Sequence, residues 1–116
     1  MTLPSIVDTV FDGYAGRPAL GQREIRFVTD SATGRTSAEL LPSFQTLTYA
    51  EVSQRAHALA AALADVRPGE RVALLGFTSV DYATVDIGLV LRGAVSVPLQ
   101  TAASVTALRP IIAETE

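Results

Sequence analysis

The sequence predicts an α/β fold in which a βαβ layer of two or three parallel strands, with flanking helices, follows a small N-terminal hairpin. The run VALLGF (72–77) is nearly continuously apolar, as is typical of a parallel strand covered on both faces. An apolar helical stretch over 79–94 and a second short strand pattern, AVSVPL (94–99), come next. Strand, helix and strand joined by short turns predict two parallel strands with a right-handed crossover.

The N-terminal residues predict a helix over 3–14. Apolar side chains recur there at helical spacing, and Pro4 suits the first turn. We expect Asp8 to lie near the positive end of the helix dipole. Two glycines and then Pro18 end this helix.

A hairpin is predicted after this helix. Residues 24–29, EIRFVT, alternate between apolar and charged side chains as a half-buried strand does. The turn-forming cluster DSATGR (30–35) separates them from 36–41, which we expect to pair back as the second arm. Pro42 is expected to end that arm.

The best-defined unit of the sequence, TLTYAEVSQRAHALAAALADV, spans 46–66 and predicts a helix that follows its capping box. Thr48 and Glu51 match a capping box, in which each side chain satisfies the free backbone N–H group of the other residue. One face of the helix is apolar and rich in alanine, which permits close packing. The residues of that face are Val52, Ala56, Leu59, Ala60 and Leu63. The tight turn RPGER (67–71) then leads into the first parallel strand.

The helix over 79–94 has a start signal and a stop signal. Thr78 or Ser79 caps its first turn, and Gly93 can adopt the positive φ that ends a helix. The helix is apolar most of the way round, so we expect neighbours on more than one side of it.

The C-terminal residues predict one more helix, over 104–116. Pro110 lies inside it, which predicts a kink or a weaker helix. Because the pattern has no stop signal at Glu116, we interpret the chain end as an interruption.

Composition excludes several classes of function. With 116 residues, a formal charge of −3 and a pI near 5.0, the chain lacks the basic footprint of a nucleic-acid-binding protein. It has no cysteine, and all nine basic residues are arginine, which excludes thiolate chemistry, a lysine nucleophile and a Walker-type phosphate loop. Neither a membrane span nor a secretory signal is predicted, so we expect a cytosolic location.

Few residues could carry chemistry, and together they form no recognisable active site. The loop Gly76–Ser79 joins a strand to a helix start, where a phosphate can bind, but a simple helix cap is the favoured interpretation. His57 has no catalytic partner in its helix, so we interpret it as a surface or partly buried histidine. Asp81 is expected to stabilise the helix dipole, and Asp86 to face solvent or a donor.

Several longer segments resemble a known family of enzymes. LTYAEVSQRAHALAAAL, RPGERVALLGFTS and GLVLRGAVSVPLQ are similar to the early N-terminal subdomain of adenylate-forming enzymes, which include acyl-CoA ligases. GYAGRPALGQR (13–23), GFTSVDYATVDIGLV (76–90) and the C-terminal run 93–116 resemble carboxylic acid reductases. The resemblance implies that residues 1–116 are the N-terminal portion of an AMP-binding (adenylation) domain, and so a partial subdomain of that fold.

The resemblance also implies an activity and its cofactors. Carboxylic acid reductases adenylate a carboxylic acid with ATP and Mg, transfer it to a phosphopantetheine carrier and reduce the thioester with NADPH. The family's phosphate loop with its lysine, its ribose-binding aspartate and its catalytic lysine match nothing in this sequence. We therefore expect no catalytic, cofactor-binding or metal-binding residue in this chain, and no activity of the chain alone.

Three interpretations of function remain open. The chain is a piece of an acid-activating enzyme resembling carboxylic acid reductase, a fragment of a fatty-acyl-CoA or AMP ligase, or a non-catalytic interaction module that kept the scaffold. A βαβ unit without its second flank leaves apolar sheet surface uncovered, and each exposed Val, Leu or Ile forfeits about 1.5–3 kcal/mol. We expect the isolated chain to be unstable, to self-associate through that surface or to pair with the remainder of its enzyme.

Overall fold

The chain folds into helices and strands that confirm the predicted α/β class. The structure, a computed structural model, describes residues 1–115. In chain order its elements are α1 (Leu3–Gly13), β1 (Pro18–Thr29), β2 (Thr36–Thr48), α2 (Tyr49–Ala62), β3 (Arg71–Leu75), α3 (Val80–Arg92), β4 (Val95–Leu99) and α4 (Val105–Glu114).

Strands β3 and β4 form the predicted parallel pair, with helix α3 as the connection between them. Their register runs from Arg71 opposite Val95 to Leu75 opposite Leu99. The βαβ unit is therefore confirmed, with two parallel strands in the part of the chain that the structure describes.

The capping box at the start of α2 is present as predicted. Thr48 Oγ1 accepts a hydrogen bond from the Glu51 N–H at 3.2 Å, and Glu51 Oε2 accepts one from the Thr48 N–H at 2.8 Å. These bonds from the Thr48 backbone and hydroxyl lower the pKa of the Glu51 carboxyl below its ordinary value of 4.5. The helix begins at Tyr49, directly after the predicted N-cap residue, and it ends at Ala62, so the predicted extension to 66 is wrong.

Helix α3 has the predicted signals at both ends. Ser79 Oγ accepts a hydrogen bond from the Tyr82 N–H at 3.0 Å, and Gly93 has a φ of 76°. The guanidinium of Arg92 also donates to the Val66 carbonyl at 2.8 Å and to the Ala64 carbonyl at 2.6 Å. Arg92 thereby fastens the end of α3 to the segment that follows α2.

The hairpin is longer than predicted in both arms. β1 already begins at Pro18, and β2 continues through Pro42 as far as Thr48, so the predicted end at Pro42 is wrong. The register shifts between Arg23 and Ile25, where their partners are Phe44 and Leu40. Pro42 falls in this irregular stretch of β2, where its missing N–H group removes no ladder hydrogen bond.

The fully buried core lies between α2 and α3. Within residues 1–115 the completely buried apolar side chains are Val52, Ala56 and Leu89. A Cβ atom added at Gly88 would lie 2.8 Å from Leu59 Cδ2 and 3.1 Å from the Ala56 carbonyl oxygen, so glycine sets the distance between the helices. Helix α3 also contacts α1, β1 and β4, which confirms that it is covered on more than one side.

One face of the β3–β4 sheet is open to solvent. The register places Leu75 beside Leu99 and Arg71 beside Val95 on this face. Leu75 is 57% exposed and Val95 is 47% exposed, whereas Val72 and Leu74 on the other face are half-buried. The expectation of a strand covered on both faces is therefore wrong for β3, and the expectation of an uncovered apolar sheet face is confirmed.

The described residues form a thin and extended body. Its principal extents are 58 × 44 × 19 Å, and its radius of gyration is 17.6 Å. A compact domain of this length has a radius of gyration of about 13 Å. Helix α4 runs through Pro110 and leaves Val105, Ile111 and Ile112 exposed, while Glu116 lies outside the described residues. No described helix is long and apolar enough to cross a membrane.

Candidate functional site

A cleft of about 420 Å³, which we call the strand-end cleft, lies at the carboxyl ends of β3 and β4. Ligands of open parallel sheets bind outside the carboxyl ends of the strands, so this is the place where the fold favours a site. The cleft is lined by Gly76–Thr78 after β3, by Tyr82 from the first turn of α3, and by Leu99–Ala102 at the end of β4.

The cleft offers uncharged groups. Its polar side-chain atoms are the Tyr82 phenol, the hydroxyls of Thr78 and Thr101, and the Gln100 amide. The described residues that line it include no carboxylate, guanidinium or imidazole. A reacting triphosphate needs cationic groups at its oxygens, so this lining alone does not suit phosphoryl chemistry.

The loop before α3 acts as a helix cap. The Tyr82 N–H donates to Ser79 Oγ, and the Val80 N–H donates to the side-chain oxygen of Gln22 in β1 at 3.1 Å. Two of the N–H groups that could hold a phosphate are therefore already bonded within the chain. A Cβ atom at Gly76 would lie 3.3 Å from the Tyr82 ring, so this glycine makes room for an aromatic side chain. The interpretation as a cap is confirmed.

His57 lies on the exposed side of α2, as predicted, but it has a partner that the sequence did not reveal. Its Nε2 atom is 2.9 Å from Asp8 Oδ1 on α1, and both side chains are about half exposed. Asp8 is not in the first turn of α1, so the expectation that it stabilises the dipole there is wrong. The pair connects two helices at the surface and does not line the strand-end cleft.

The two aspartates of α3 also lie away from the cleft lining. Asp81 is exposed in the first turn of the helix, where its charge stabilises the dipole as predicted. Asp86 is partly exposed to solvent, in agreement with the expectation for an unpaired carboxylate. Within residues 1–115, no group of three or more His, Cys, Asp or Glu residues is arranged to hold a metal ion.

An aromatic cluster joins α1 to α2. The rings of Phe11 and Tyr49 meet edge to face with centroids 5.1 Å apart, and the Tyr14 and Tyr49 centroids are 5.8 Å apart. The Arg17 guanidinium lies 4.9 Å from the centre of the Tyr14 ring. This cluster positions the N-terminal helix, and no local sequence pattern signals it because its members lie in different elements.

The sequence profile of the family described as AMP-binding enzyme matches residues 25–116. Because this match covers most of the chain, the chain belongs to the AMP-binding enzyme family.

Within that family, the sequence is similar to carboxylic acid reductases. It is 60% identical to the carboxylic acid reductase of Mycobacterium tuberculosis over 119 aligned residues, which cover all of this chain and 10% of that protein. The structure matches the A domain of carboxylic acid reductase from Segniliparus rugosus, solved with AMP and a co-purified carboxylic acid, with a TM-score of 0.87. That match has 44% identity and covers 99% of this chain and 19% of that one.

A second adenylation domain gives the same result. The A domain of the Mycobacterium chelonae carboxylate reductase matches with a TM-score of 0.83 and 45% identity, over 99% of this chain and 18% of that one. The predicted resemblance to an N-terminal piece of such a domain is confirmed. The chain spans about a tenth of the length of the curated relative that it matches.

Proposed function

We propose that this chain is the N-terminal layer of an acyl-adenylate-forming domain, in a cytosolic enzyme of the carboxylic acid reductase type. Residues 1–116 are part of the AMP-binding domain and carry surfaces on which the rest of that domain is built. ATP with Mg, the phosphopantetheine carrier and NADPH are used by other parts of the enzyme. The chain alone does not adenylate an acid.

The observation that carries this proposal is the small size of the buried core. Among residues 1–115, the fully buried apolar side chains are Val52, Ala56 and Leu89. Burial of apolar surface is the main favourable term in folding, and it must offset the conformational entropy of every ordered residue. A body only 19 Å thick with so small a core gains stability when a partner covers its apolar surfaces.

The chemistry of the strand-end cleft also supports the proposal that adenylation depends on residues outside this chain. Tyr82, Thr78 and Gln100 can contact a neutral group, but they cannot neutralise the charge of a triphosphate beside a carboxylate. In the proposed enzyme the cationic groups come from residues outside this chain. The βαβ layer packs against the segments that carry those groups and supports them.

The identity along the chain favours reductase parentage over a fatty-acyl-CoA ligase. The 60% identity to the M. tuberculosis carboxylic acid reductase extends over the entire chain, including the hairpin and the C-terminal helix. The remaining alternative, a non-catalytic interaction module, makes a different prediction in the experiment that follows.

A chimera tests the proposal. The aligned segment of the M. tuberculosis carboxylic acid reductase is replaced by residues 1–116, and acid-dependent exchange of pyrophosphate into ATP is measured with benzoate and a medium-chain fatty acid. We expect the chimera to retain exchange activity. A matched chimera with Leu89→Asp, which buries a charge in the core between α2 and α3, should lose it.

The isolated polypeptide is measured in parallel. We expect neither saturable ATP binding nor acyl-adenylate formation from it. Either result with the purified chain alone would contradict the proposal. A chimera that folds but shows no acid-dependent exchange would favour the non-catalytic module instead.

A further inference from the structure

The two faces of the β1–β2 hairpin differ in polarity. Directly opposite residues of an antiparallel pair share a face, so Ile25 lies beside Leu40, and Phe27 follows two residues along the same face. Phe44 extends this face toward the base of the hairpin, where the guanidinium of the opposite residue, Arg23, lies 6.0 Å from the centre of the Phe44 ring. We call the side chains of Ile25, Phe27, Leu40 and Phe44 the apolar hairpin face.

Polar groups on the opposite face satisfy one another. Arg26 Nη2 lies 2.7 Å from Glu39 Oε2, and the carboxylate of Glu24 accepts a hydrogen bond from the Ser43 hydroxyl. This face is suited to contact with water.

The apolar hairpin face, in contrast, is largely exposed. Ile25 is 44%, Leu40 57%, Phe44 61% and Phe27 73% exposed. The strands have 12 and 13 residues, longer than the usual five or six, and a two-stranded hairpin is marginally stable at best unless something packs against it. A hairpin of this length with an open apolar face therefore fits a surface that is covered in the assembled protein.

We propose that the apolar hairpin face is a docking surface for the downstream part of the same adenylation domain. This inference rests on the proposed function, because the partner exists only if the chain is a layer of a larger domain. It goes beyond that function by assigning a second contact surface, separate from the open face of the β3–β4 sheet.

The size of the face argues against a dimer of this chain that is held together by the hairpin alone. Two partly exposed phenylalanines and two aliphatic side chains offer on the order of 300–500 Å². A stable complex buries about 800 Å² on each partner, so this face alone cannot hold two copies together. A partner that also contacts the chain elsewhere does not need the hairpin to supply the whole area.

The downstream part of the domain meets that condition. The match to the S. rugosus A domain covers 99% of this chain but 19% of that one, so about four-fifths of such a domain has no counterpart here. The described residues form a plate 58 Å long and 19 Å thick, and we infer that a body about four times its size covers the hairpin as well as the open sheet face.

Paired substitutions on the two faces of β1 test the inference. Phe27→Glu places a charge on the apolar hairpin face, and Val28→Glu places the same charge on the opposite face of the same strand, where Val28 is also exposed. Both are measured in the chimera and in the isolated chain. We expect Phe27→Glu to lower the midpoint of thermal inactivation of the chimera by about 4 °C or more, and Val28→Glu to change it by less than about 1 °C.

Further measurements separate a lost contact from a misfolded hairpin. The uncharged variant Phe27→Ser should shift the chimera's midpoint in the same direction by a smaller amount. The circular dichroism and sedimentation coefficient of the isolated chain should not change in any of the three variants, because Phe27 and Val28 are both exposed there.

Two results would overturn the inference. The first is a Phe27→Glu chimera whose midpoint falls no more than that of Val28→Glu. The second is an isolated chain whose oligomeric state changes with Phe27→Glu and not with Val28→Glu, which would assign the face to a second copy. An unmodified chimera without exchange activity would instead contradict the proposed function, so the two failures are distinguishable.

Discussion

The α2–α3 helix pair and the β1–β2 hairpin both have regular backbone structure but differ in what they bury. Between the helices, Leu89 and Val52 are inaccessible to solvent and Gly88 allows the backbones to approach closely. In the hairpin, the ladder extends from Thr29–Thr36 to the base, yet Phe27 is largely exposed. The backbone pairing of the hairpin comes from its own two strands, whereas burial of its apolar face depends on residues from elsewhere.

The largest expected effect distinguishes these two regions directly. Leu89→Ala should cost about 2–5 kcal/mol because it leaves a cavity at a fully buried site. In the isolated chain, Leu40→Ala on the hairpin should cost less than about 0.5 kcal/mol. Native-state hydrogen exchange of the α2 amides measures both, and equal acceleration by the two variants would contradict the distinction.

The open sheet face gives the next prediction. Leu75→Asp should raise the monomer fraction of the isolated chain in sedimentation velocity several-fold, because it places a charge on an apolar surface that we expect to mediate self-association. Gln100→Asp, exposed just after β4, is the matched control and should have little effect. A sharply melting, monodisperse monomer of the unmodified chain would show that the face needs no cover.

A smaller effect is expected where α3 is fastened to the segment after α2. Arg92→Met keeps the aliphatic stem but removes the donors to the Val66 and Ala64 carbonyls, and should cost about 1–3 kcal/mol. Urea unfolding of the chimera, followed by exchange activity, measures this cost. Arg109→Met on the exposed α4 serves as the control and should leave the midpoint unchanged.

The smallest effect is a dependence on pH at the start of α2. Because hydrogen bonds from Thr48 lower the pKa of Glu51 in the folded chain, they stabilise the fold above the ordinary value of 4.5, and this contribution is lost as the pH falls through the lowered pKa. Glu51→Gln keeps an acceptor but cannot titrate. The stability difference between the parent and this variant should therefore shrink in acid, and a difference independent of pH would contradict the role of the charge.

The sequence predicts those parts of the fold whose signals lie within one turn of helix. The Thr48–Glu51 capping box, the Ser79 cap and the positive φ of Gly93 were each expected and each is present, because donor and acceptor are three residues apart or the residue acts alone. The order of strand, helix and strand, joined by short turns, was likewise sufficient to predict the βαβ unit.

Features that depend on distant residues were not predictable. Asp8 and His57 are 49 positions apart and meet only because α1 packs beside α2. Pro42 was expected to end a strand, but β2 continues through it because the register of the hairpin is irregular there. That register depends on the partner strand, so β2 alone does not predict it. The strand-end cleft has no motif because its lining comes from three segments that the parallel pairing brings together.

The absence of a side chain at Gly88 sets how closely α3 can approach α2. A Cβ atom there would lie 2.8 Å from Leu59 Cδ2 and 3.1 Å from the Ala56 carbonyl oxygen, so any larger residue would force the two helices apart. Because the fully buried Leu89 is the next residue along α3, that separation would open the core of the described residues. A single hydrogen atom in the middle of α3 therefore restricts which residue this helix can carry at its centre.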